Sequence, residues 1–293
     1  MSASFVVLTA AKNEERFIGR TIASVCAQTA RPWRWIIVDD GSTDGTASVV
    51  RAAMETHSFI RLHTIPSIAE RSFGAKSRAI HAAYRSIAEE AFDFVVILDA
   101  DIAFGRPDVF AAMLAAFAAS PRLGIAGGEV MEPTAEGWKS RKGNRADAVA
   151  GAIQMIRRTC YDECGGYVPL RFGGEDWLVQ IDAQMRGWGV DVLRDQPILH
   201  FRPTSSAGGH WRGLFRCGLM DASFGSDPSF EALKCLRRVA ERPFLAGAIV
   251  RYAGFLWWHL SRRAPLIPPP HVAHLRQHQR VKVRRWIAGF FGA

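Results

Sequence analysis

Short apolar runs that end in acidic residues constrain this fold more than any other feature of the sequence. The run from Phe94 to Leu98 leads directly into Asp99-Ala100-Asp101, and the run from Trp35 to Val38 ends in Asp39-Asp40-Gly41. In open α/β sheets, ligands bind at the carboxyl ends of the strands. The sequence therefore predicts an α/β domain with a largely parallel central sheet, with strands at residues 5–9, 35–39, 60–65, 94–98, 123–127 and 150–157.

Asp99 and Asp101 are candidates for a divalent metal site. Two carboxylates one residue apart on a turn can place hard oxygen ligands on one Mg²⁺ or Mn²⁺ ion and leave positions open for a diphosphate. Such a triplet is also common in solvated turns. The pattern alone leaves both interpretations open.

Asp40 ends the second acidic run in a position to accept hydrogen bonds from a base or a ribose. Gly41 would let the backbone come close to a ligand, since it carries no side chain. The alternative is that Ser42, Thr43 or Asp44 caps the next helix. A cap at one of these positions leaves Asp40 available, so the two interpretations are compatible.

Four segments in this order resemble glycosyltransferase family 2, whose members are inverting enzymes with the GT-A fold for nucleotide-diphospho-sugar transferases. The segments are Val6 to Thr46, Gly74 to Arg78, Ile97 to Asp101, and Gly173-Gly174-Glu175-Asp176-Trp177. The resemblance covers residues 5 to 225. It implies transfer of a sugar from a nucleotide-diphosphate donor, with a UDP-sugar as the commoner choice, to a hydroxyl acceptor, with Mn²⁺ or Mg²⁺ as cofactor.

The resemblance also implies residue roles on the nucleotide side of the site. Asp40 would bind the uracil or ribose, with Ala11 and Glu14 lining the same pocket. The nucleotide-sugar contacts would be completed by Lys76, Arg78, Asp99 and Glu175. In the first loop this sequence departs from the family's commonest pattern, with Ala10 in place of a frequent proline and Lys12 in place of a frequent tyrosine.

The remaining implied roles concern metal and proton chemistry. Asp101 would be the direct metal ligand, and His200 would complete the metal site. Asp176 would be the general base that takes the proton of the attacking hydroxyl. By position alone, Asp176 could equally cap a helix from Trp177 to Arg186, and His200 could be a core residue on an apolar strand.

The carboxyl-terminal segment carries the basic excess of the chain. Residues 231–293 hold 12 Lys and Arg against 2 Glu, whereas the net charge of the whole chain is +9. We therefore predict a catalytic domain over residues 1–230 and a basic, aromatic-rich helical extension over residues 231–293. Nucleic-acid binding is disfavoured, because no recognition motif accompanies the charge.

Within the extension, the apolar run from Phe244 to Leu260 predicts a helix at the membrane interface. A central arginine, Arg251, makes a membrane span costly, and Arg262-Arg263 follow two tryptophans in the pattern of a headgroup boundary. Further cations between Arg276 and Trp286, and the aromatic Phe290 and Phe291, extend the predicted contact to residues 244–291. The alternative is a helix buried against the catalytic domain or in a homo-oligomer interface.

Composition agrees with a cytosolic-facing enzyme. At 293 residues and 48% hydrophobic content the chain can bury one α/β core with an appendage. Five scattered cysteines argue against a disulfide framework, and no secretory signal is expected. Bacterial family members with such tails act in exopolysaccharide or lipopolysaccharide assembly, so the resemblance predicts a peripheral enzyme at the inner face of the cytoplasmic membrane with a lipid-linked acceptor.

Two other functions are compatible with parts of this pattern. A sugar-phosphate nucleotidyltransferase would share the nucleotide-binding architecture, but it needs a glycine- and arginine-rich phosphate loop near residue 10, and Ala10-Ala11-Lys12-Asn13 is not one. A non-catalytic scaffold could keep the fold and the basic tail. Joint retention of Asp40, Asp99, Asp101 and Asp176 argues against a scaffold.

Overall fold

A computed structural model of the protein describes residues 3–66, 74–141, 144–145, 148–202, 209–241 and 243–291, without the side chains of residues 287 and 289–291. The chain divides into two compact units. The first comprises Met1–Pro169 and Glu175–Pro203, and the second comprises Leu170–Gly174 and Thr204–Ala293. The functional boundary that the sequence places at residue 230 stays a prediction.

The first unit is built on one mixed sheet. In the described residues its strands run in the spatial order β3-β2-β1-β4-β8-β6-β9-β5, and β7 pairs with β6. The strands are β1 (Phe5–Ala11), β2 (Arg34–Asp39), β3 (Ile60–Thr64), β4 (Phe94–Leu98), β5 (Ile102–Phe104), β6 (Leu123–Thr134), β7 (Gly137–Ser140), β8 (Ile153–Arg157) and β9 (Gly189–His200). The predicted α/β class is confirmed.

Helices cover both faces of this sheet. They are α1 (Glu15–Cys26), α2 (Thr46–Thr56), α3 (Gly74–Arg85), α4 (Val109–Ala119), α5 (Arg158–Glu163) and α6 (Glu175–Met185). Alternate residues of β1 face opposite layers: Phe5 and Val7 pack in the cluster that includes residues of α1 and α4, whereas Val6 and Leu8 pack in the cluster that includes residues of α3 and α6. Burial on both faces explains why the early strands are continuous apolar runs.

The strand order places the acidic loops together. β1 pairs in parallel with β2 on one side and with β4 on the other, so the chain order reverses around β1. Ligand sites in open α/β sheets form at such a reversal, outside the carboxyl ends of the strands. The loops after β1, β2 and β4 all leave the sheet at this edge.

The sheet differs from the sequence prediction in several strands: β1 and β6 extend past their predicted ends, and β5, β7 and β9 were not predicted. β8 begins at Ile153 instead of residue 150 and pairs antiparallel with β4. β9 was not predicted, because its residues are mostly partly or fully exposed and form no continuous apolar run. Its parallel pairing with β6 and antiparallel pairing with β5 define it as a strand.

The second unit is helical. Its helices in the described residues are α7 (His210–Ser223), α8 (Pro228–Leu236), α9 (Ala246–Leu260) and α10 (Pro269–Phe291). α7 and α9 pack closely at glycines: a Cβ on Gly218 would lie 1.9 Å from the carbonyl oxygen of Arg251, and a Cβ on Gly254 would lie 2.1 Å from that of Phe215. Larger residues at these two positions would force the helices apart.

Arg251, the charge within the apolar run from Phe244 to Leu260, belongs to a buried ion-pair network. Its Nη2 lies 2.5 Å from Asp221 Oδ2, and its Nε lies 3.5 Å from Glu231 Oε1. Lys234 Nζ contacts the same two carboxylates at 2.9 and 2.7 Å. The network therefore joins α7, α8 and α9 through charges from each helix.

The opposite face of α9 is apolar and exposed. Ile249, Leu256, Trp257 and Leu260 are exposed, whereas Phe255 and Trp258 are buried. Measured over the described residues, none of the helices has both the length and the apolar character that crossing a membrane requires.

Candidate active site

The cluster formed by Asp99, Asp101 and His200 lies at the carboxyl end of β4. One candidate ligand atom from each residue lies within 4.8 Å of the others. The pairing of β5 with β9 places Ile102 opposite His200, which brings the histidine beside the acid that precedes Ile102. His200 Nε2 lies 3.3 Å from Asp101 Oδ2.

The donor set of this cluster fits a divalent metal ion. Carboxylate oxygens with an imidazole nitrogen are suitable ligands for Mn²⁺. His200 Nδ1 is buried and has no hydrogen-bond partner among the described residues, so this nitrogen is available as a ligand. Burial acts to raise the pKa of Asp101, but His200 and Arg202 outweigh it and hold this pKa below its ordinary value. Asp101 is therefore an anion in the folded protein.

Lys76 contributes a fixed positive charge beside this cluster. It lies in the first turn of α3, and its Nζ donates to Asp99 Oδ1 at 2.6 Å and to the Gly151 carbonyl at 3.2 Å. Burial acts to lower the pKa of Lys76, but Asp99 and Glu175 outweigh it, and the net shift is upward. Lys76 is thus a cation in the folded protein.

Asp176 is held near Asp99 and Lys76 by a pair of glutamine amides. Its backbone carbonyl accepts from Gln180 Nε2 at 2.7 Å and from Gln154 Nε2 at 3.2 Å. The same two amides bind the Val149 carbonyl, which ties the loop before β8 to the first turn of α6. Because the Val149 carbonyl binds these side-chain amides and not a neighbouring strand, β8 begins at Ile153 and not at residue 150.

Asp176 lies in the first turn of α6, which begins at Glu175, and not at the cap of a helix from Trp177 to Arg186; its carboxylate faces the site. A Cβ placed on Gly151 would lie 2.7 Å from Asp176 Oδ2, so only glycine fits there without moving the acid. Burial raises the pKa of Asp176, while Lys76 opposes the shift. A carboxylate with a raised pKa is a stronger proton acceptor than an ordinary aspartate.

Glu175 is more deeply buried than Asp176. Burial raises its pKa to about 7, although Lys76 acts to lower it. One of its oxygens, Oε2, is buried without a hydrogen-bond partner in the described part of the chain. Glu175 therefore exchanges its proton near neutral pH.

The structure brings Asp40 and Ala11 together on the nucleotide side predicted from the sequence. The Asp40 amide donates to the Ala11 carbonyl at 2.9 Å, and Lys12 Nζ lies 3.5 Å from Asp40 Oδ2. Asp44, the alternative cap, accepts from the Thr46 amide at the start of α2. The N-cap position of α2 is Gly45, which has no side-chain cap hydrogen bond, so none of the three candidate residues is the N-cap.

Glu14 is linked to the metal-type cluster through Arg202. Its Oε1 accepts from Arg202 Nη2 at 2.5 Å, and Arg202 Nε donates to Asp101 Oδ2 at 2.7 Å. Burial raises the pKa of Glu14, although Arg202 opposes it. Arg78 follows Lys76 on α3, and its Nη1 would lie 3.2 Å from a Cβ placed on Gly74. Its role in nucleotide binding stays a prediction.

Sequence reasoning did not identify Arg202, Gln154 or Gln180 as site residues. Arg202 follows His200 by two positions, and this short spacing was the available signal for it. The two glutamines lie on a strand and a helix, and nothing in their local sequence indicates that they bind the Asp176 carbonyl.

Comparison with known protein families places most of the first unit in one family. The model described as "Glycosyl transferase family 2" matches residues 6–175. A 4,4'-diaponeurosporenoate glycosyltransferase of Staphylococcus aureus is 28% identical over 111 residues, which are 38% of this chain and 27% of that protein.

A second curated relative is the undecaprenyl-phosphate 4-deoxy-4-formamido-L-arabinose transferase of Pectobacterium carotovorum. It is 37% identical over 94 residues, which are 31% of this chain and 26% of that protein. The matched part therefore spans about a quarter of the length of each of these relatives.

Among solved structures, the chain is similar to the mannosyltransferase PcManGT from Pyrobaculum calidifontis, determined in complex with GDP-Man and Mn²⁺. The TM-score is 0.56 at 17% identity, and the match covers 96% of this chain and 82% of the other. At this identity the likeness concerns the fold alone. The predicted GT-A fold is confirmed.

Proposed function

Because this chain belongs to glycosyltransferase family 2, we propose that it is an inverting glycosyltransferase that moves a sugar from a nucleoside-diphosphate donor to a hydroxyl acceptor. The observation that carries the proposal is the convergence of Asp99, Asp101, His200 and Asp176 at one edge of the sheet. In this proposal Asp176 accepts the proton of the attacking hydroxyl. A positioned base of this kind contributes about 10²- to 10⁴-fold in rate.

Asp101 and His200, with Asp99, would hold the divalent ion in this proposal. When bound, Mn²⁺ or Mg²⁺ offsets the negative charge that develops on the departing diphosphate. Lys76 supplies a fixed cation on the same side, since its ammonium group is paired with Asp99. PcManGT was determined with GDP-Man and Mn²⁺, which supports a nucleotide-sugar donor and a metal cofactor here.

A cavity lined by arginines supports an anionic acceptor. It has a volume of about 150 Å³ and is lined in part by Arg141, Arg145, Arg194 and Glu129. Glu129, the single acid among the described residues of this lining, accepts a hydrogen bond from Ser140 Oγ at 2.5 Å. Arg141 lies close enough to Asp176 for the two charges to interact. Guanidinium groups favour phosphate oxygens, so the phosphate of a lipid-linked saccharide suits this position.

The exposed face of α9 supports attachment at a membrane surface. Phe244, Leu245, Ile249 and Trp257 are each more than half exposed, and the exposed Arg262 and Arg263 follow the end of the helix. Apolar side chains beside arginines are the composition of an interfacial helix. The side chains of Phe290 and Phe291, which the sequence assigns to the same contact, lie outside those that the structure describes.

A lipid-linked acceptor and a membrane-bound enzyme are consistent with each other, because the acceptor never leaves the bilayer. The Pectobacterium relative is named for an undecaprenyl-phosphate substrate, which supports this combination. We therefore propose a peripheral enzyme at the inner face of the cytoplasmic membrane.

Calorimetric titration with UDP, GDP and TDP, each with and without Mn²⁺, tests the proposal. We expect one nucleotide to bind with micromolar affinity in a metal-dependent manner. A folded protein that binds none of the three would contradict the proposed function and would favour the scaffold alternative.

A further inference from the structure

Arg202 bridges two acids that the metal-type cluster needs. Its Nε lies 2.7 Å from Asp101 Oδ2 and its Nη2 lies 2.5 Å from Glu14 Oε1. His200 Nε2 approaches the same Asp101 oxygen at 3.3 Å. One carboxylate oxygen therefore already accepts from two nitrogen donors.

This arrangement competes with a metal ion for Asp101. A carboxylate oxygen has about two lone-pair positions, and His200 and Arg202 together account for two at Oδ2. A divalent cation at this oxygen would also lie beside the guanidinium, and the two like charges repel each other. A metal ion at Oδ2 and Arg202 therefore compete for the same oxygen of Asp101.

Of Asp101 and Arg202, the arginine is the residue whose side chain can change position more easily, because it is the more exposed of the two. The side chain of Asp101 is 7% exposed, whereas that of Arg202 is 41% exposed. The guanidinium rests 5.3 Å from the centre of the Phe17 ring, a contact that an arginine can leave at small cost when it is partly solvated. A diphosphate would offer it new anionic oxygens, to which guanidinium groups bind in a bidentate manner.

We propose that Arg202 neutralises Asp101 and Glu14 when no donor is bound, and that it transfers from these acids to the donor diphosphate when metal and nucleotide bind together. This inference rests on the proposed function, because it requires a nucleoside-diphosphate donor and a metal at Asp101. It makes Arg202 a positioning residue that couples the two binding events. Metal then binds weakly alone and tightly with the nucleotide.

Thermodynamic linkage predicts how Arg202 should change the affinities for Mn²⁺ and for the nucleotide. If the nucleotide removes a competitor of the metal, each ligand raises the affinity for the other by the same factor, typically 5- to 150-fold. Removing the guanidinium should therefore strengthen binding of Mn²⁺ alone and reduce the gain that the nucleotide brings. A purely structural role of Arg202 predicts weaker binding of both ligands.

The test measures Mn²⁺ binding directly, by the electron paramagnetic resonance signal of the free ion, in the presence and absence of UDP or GDP. For Arg202→Gln we expect Mn²⁺ alone to bind on the order of tenfold more tightly than in the parent, and the nucleotide-induced gain to shrink by a similar factor. Arg20→Gln is the matched control, since Arg20 is exposed and lies over the Phe201 ring. It should leave both affinities unchanged.

Arg202→Lys provides a second variant if the glutamine variant unfolds. Lysine keeps the charge but lacks the planar fork of donors with which Arg202 reaches Asp101 and Glu14 through different nitrogens, so Mn²⁺ alone should again bind more tightly than in the parent, by a smaller factor. Parent-like Mn²⁺ affinity in a folded Arg202 variant would overturn the inference and leave the proposed function intact. A parent protein that binds neither Mn²⁺ nor any nucleotide would overturn both.

Discussion

Lys76 Nζ lies 2.6 Å from Asp99 Oδ1, and this ion pair sets the charge balance around the proposed base. Burial raises the pKa of Asp176 and of Glu175, and the positive charge of Lys76 acts against this rise in both. One lysine thus acts on three acids of the site.

Replacing this lysine should shift the pH dependence of transfer. In Lys76→Gln the pKa of Asp176 rises, because the opposing positive charge is gone. A base must be deprotonated to act, so the acidic limb of the pH profile of kcat/KM should move upward by about one pH unit. Lys76→Arg keeps the charge and should leave the limb close to that of the parent. An unshifted limb in Lys76→Gln would exclude electrostatic control of the base by this lysine.

Asp176→Asn should separate chemistry from binding. The amide cannot take the acceptor proton, so we expect transfer to fall by about 10²- to 10⁴-fold. Nucleotide affinity, measured by calorimetry, should stay near that of the parent, because a general base stabilises the transition state much more than the bound substrate. Transfer at the parent rate by this variant would show that the base lies elsewhere.

Glu175 should make folding stability depend on pH. Its pKa is about 7 in the folded protein, against 4.5 as the ordinary value, so the folded state binds more protons between these limits. The contribution of Glu175 to the free energy of unfolding is fully present below pH 4.5 and is lost as the pH rises through about 7. The side chain of Glu175→Gln cannot ionise. The melting temperature of this variant should therefore rise relative to that of the parent as the pH increases from 5 to 8. Glu55→Gln, an exposed change on α2, serves as control and should show a constant difference.

Loss of Arg251 should destabilise the second unit. In Arg251→Met the buried Asp221 and Glu231 lose one of the two cations that contact them among the described residues and keep Lys234, and breaking a buried pair costs about 3–5 kcal/mol. Urea denaturation followed by tryptophan fluorescence measures the change. Arg262→Met alters an exposed arginine after the same helix and should have little effect. Equal stability of the two variants would mean that the network contributes nothing.

The exposed face of α9 should bind anionic vesicles. Trp257 and Leu260 are 57% and 79% exposed, and burying one large apolar side chain contributes about 1.5–3 kcal/mol. The double variant Trp257→Ser, Leu260→Ser should therefore lower affinity for phosphatidylglycerol vesicles by at least about tenfold in a flotation assay. Trp33→Ser removes a similarly exposed tryptophan from the first unit and is the control. Undiminished flotation of the double variant would favour an oligomer interface at this face.

The sequence predicts those strands and helices that a local run or periodicity of apolar residues marks. Buried strands such as β4 are continuous apolar runs, so the position of Asp99 and Asp101 at a strand end was predictable. β9 has no such run, and only pairing with distant strands defines it. The contact between Arg202 and Asp101 joins residues about a hundred positions apart and leaves no trace in the sequence near either one.

Arg251 illustrates the same limit in the second unit. In the sequence it is one charge within an apolar run, which makes a membrane span costly and says nothing of its surroundings. Its partners, Asp221 and Glu231, come from two other helices. The helix was therefore predictable from composition, whereas which of its faces is buried was not.

The antiparallel pairing of β5 with β9 has a consequence for how the metal-type cluster forms. Side chains alternate between the two faces of a strand, so a slip of β9 by one residue would turn His200 away from Asp101. The ligand set of the proposed metal site thus forms only when β9 has found its correct register against both β5 and β6. Uptake of Mn²⁺ by refolding protein would then report completion of the sheet.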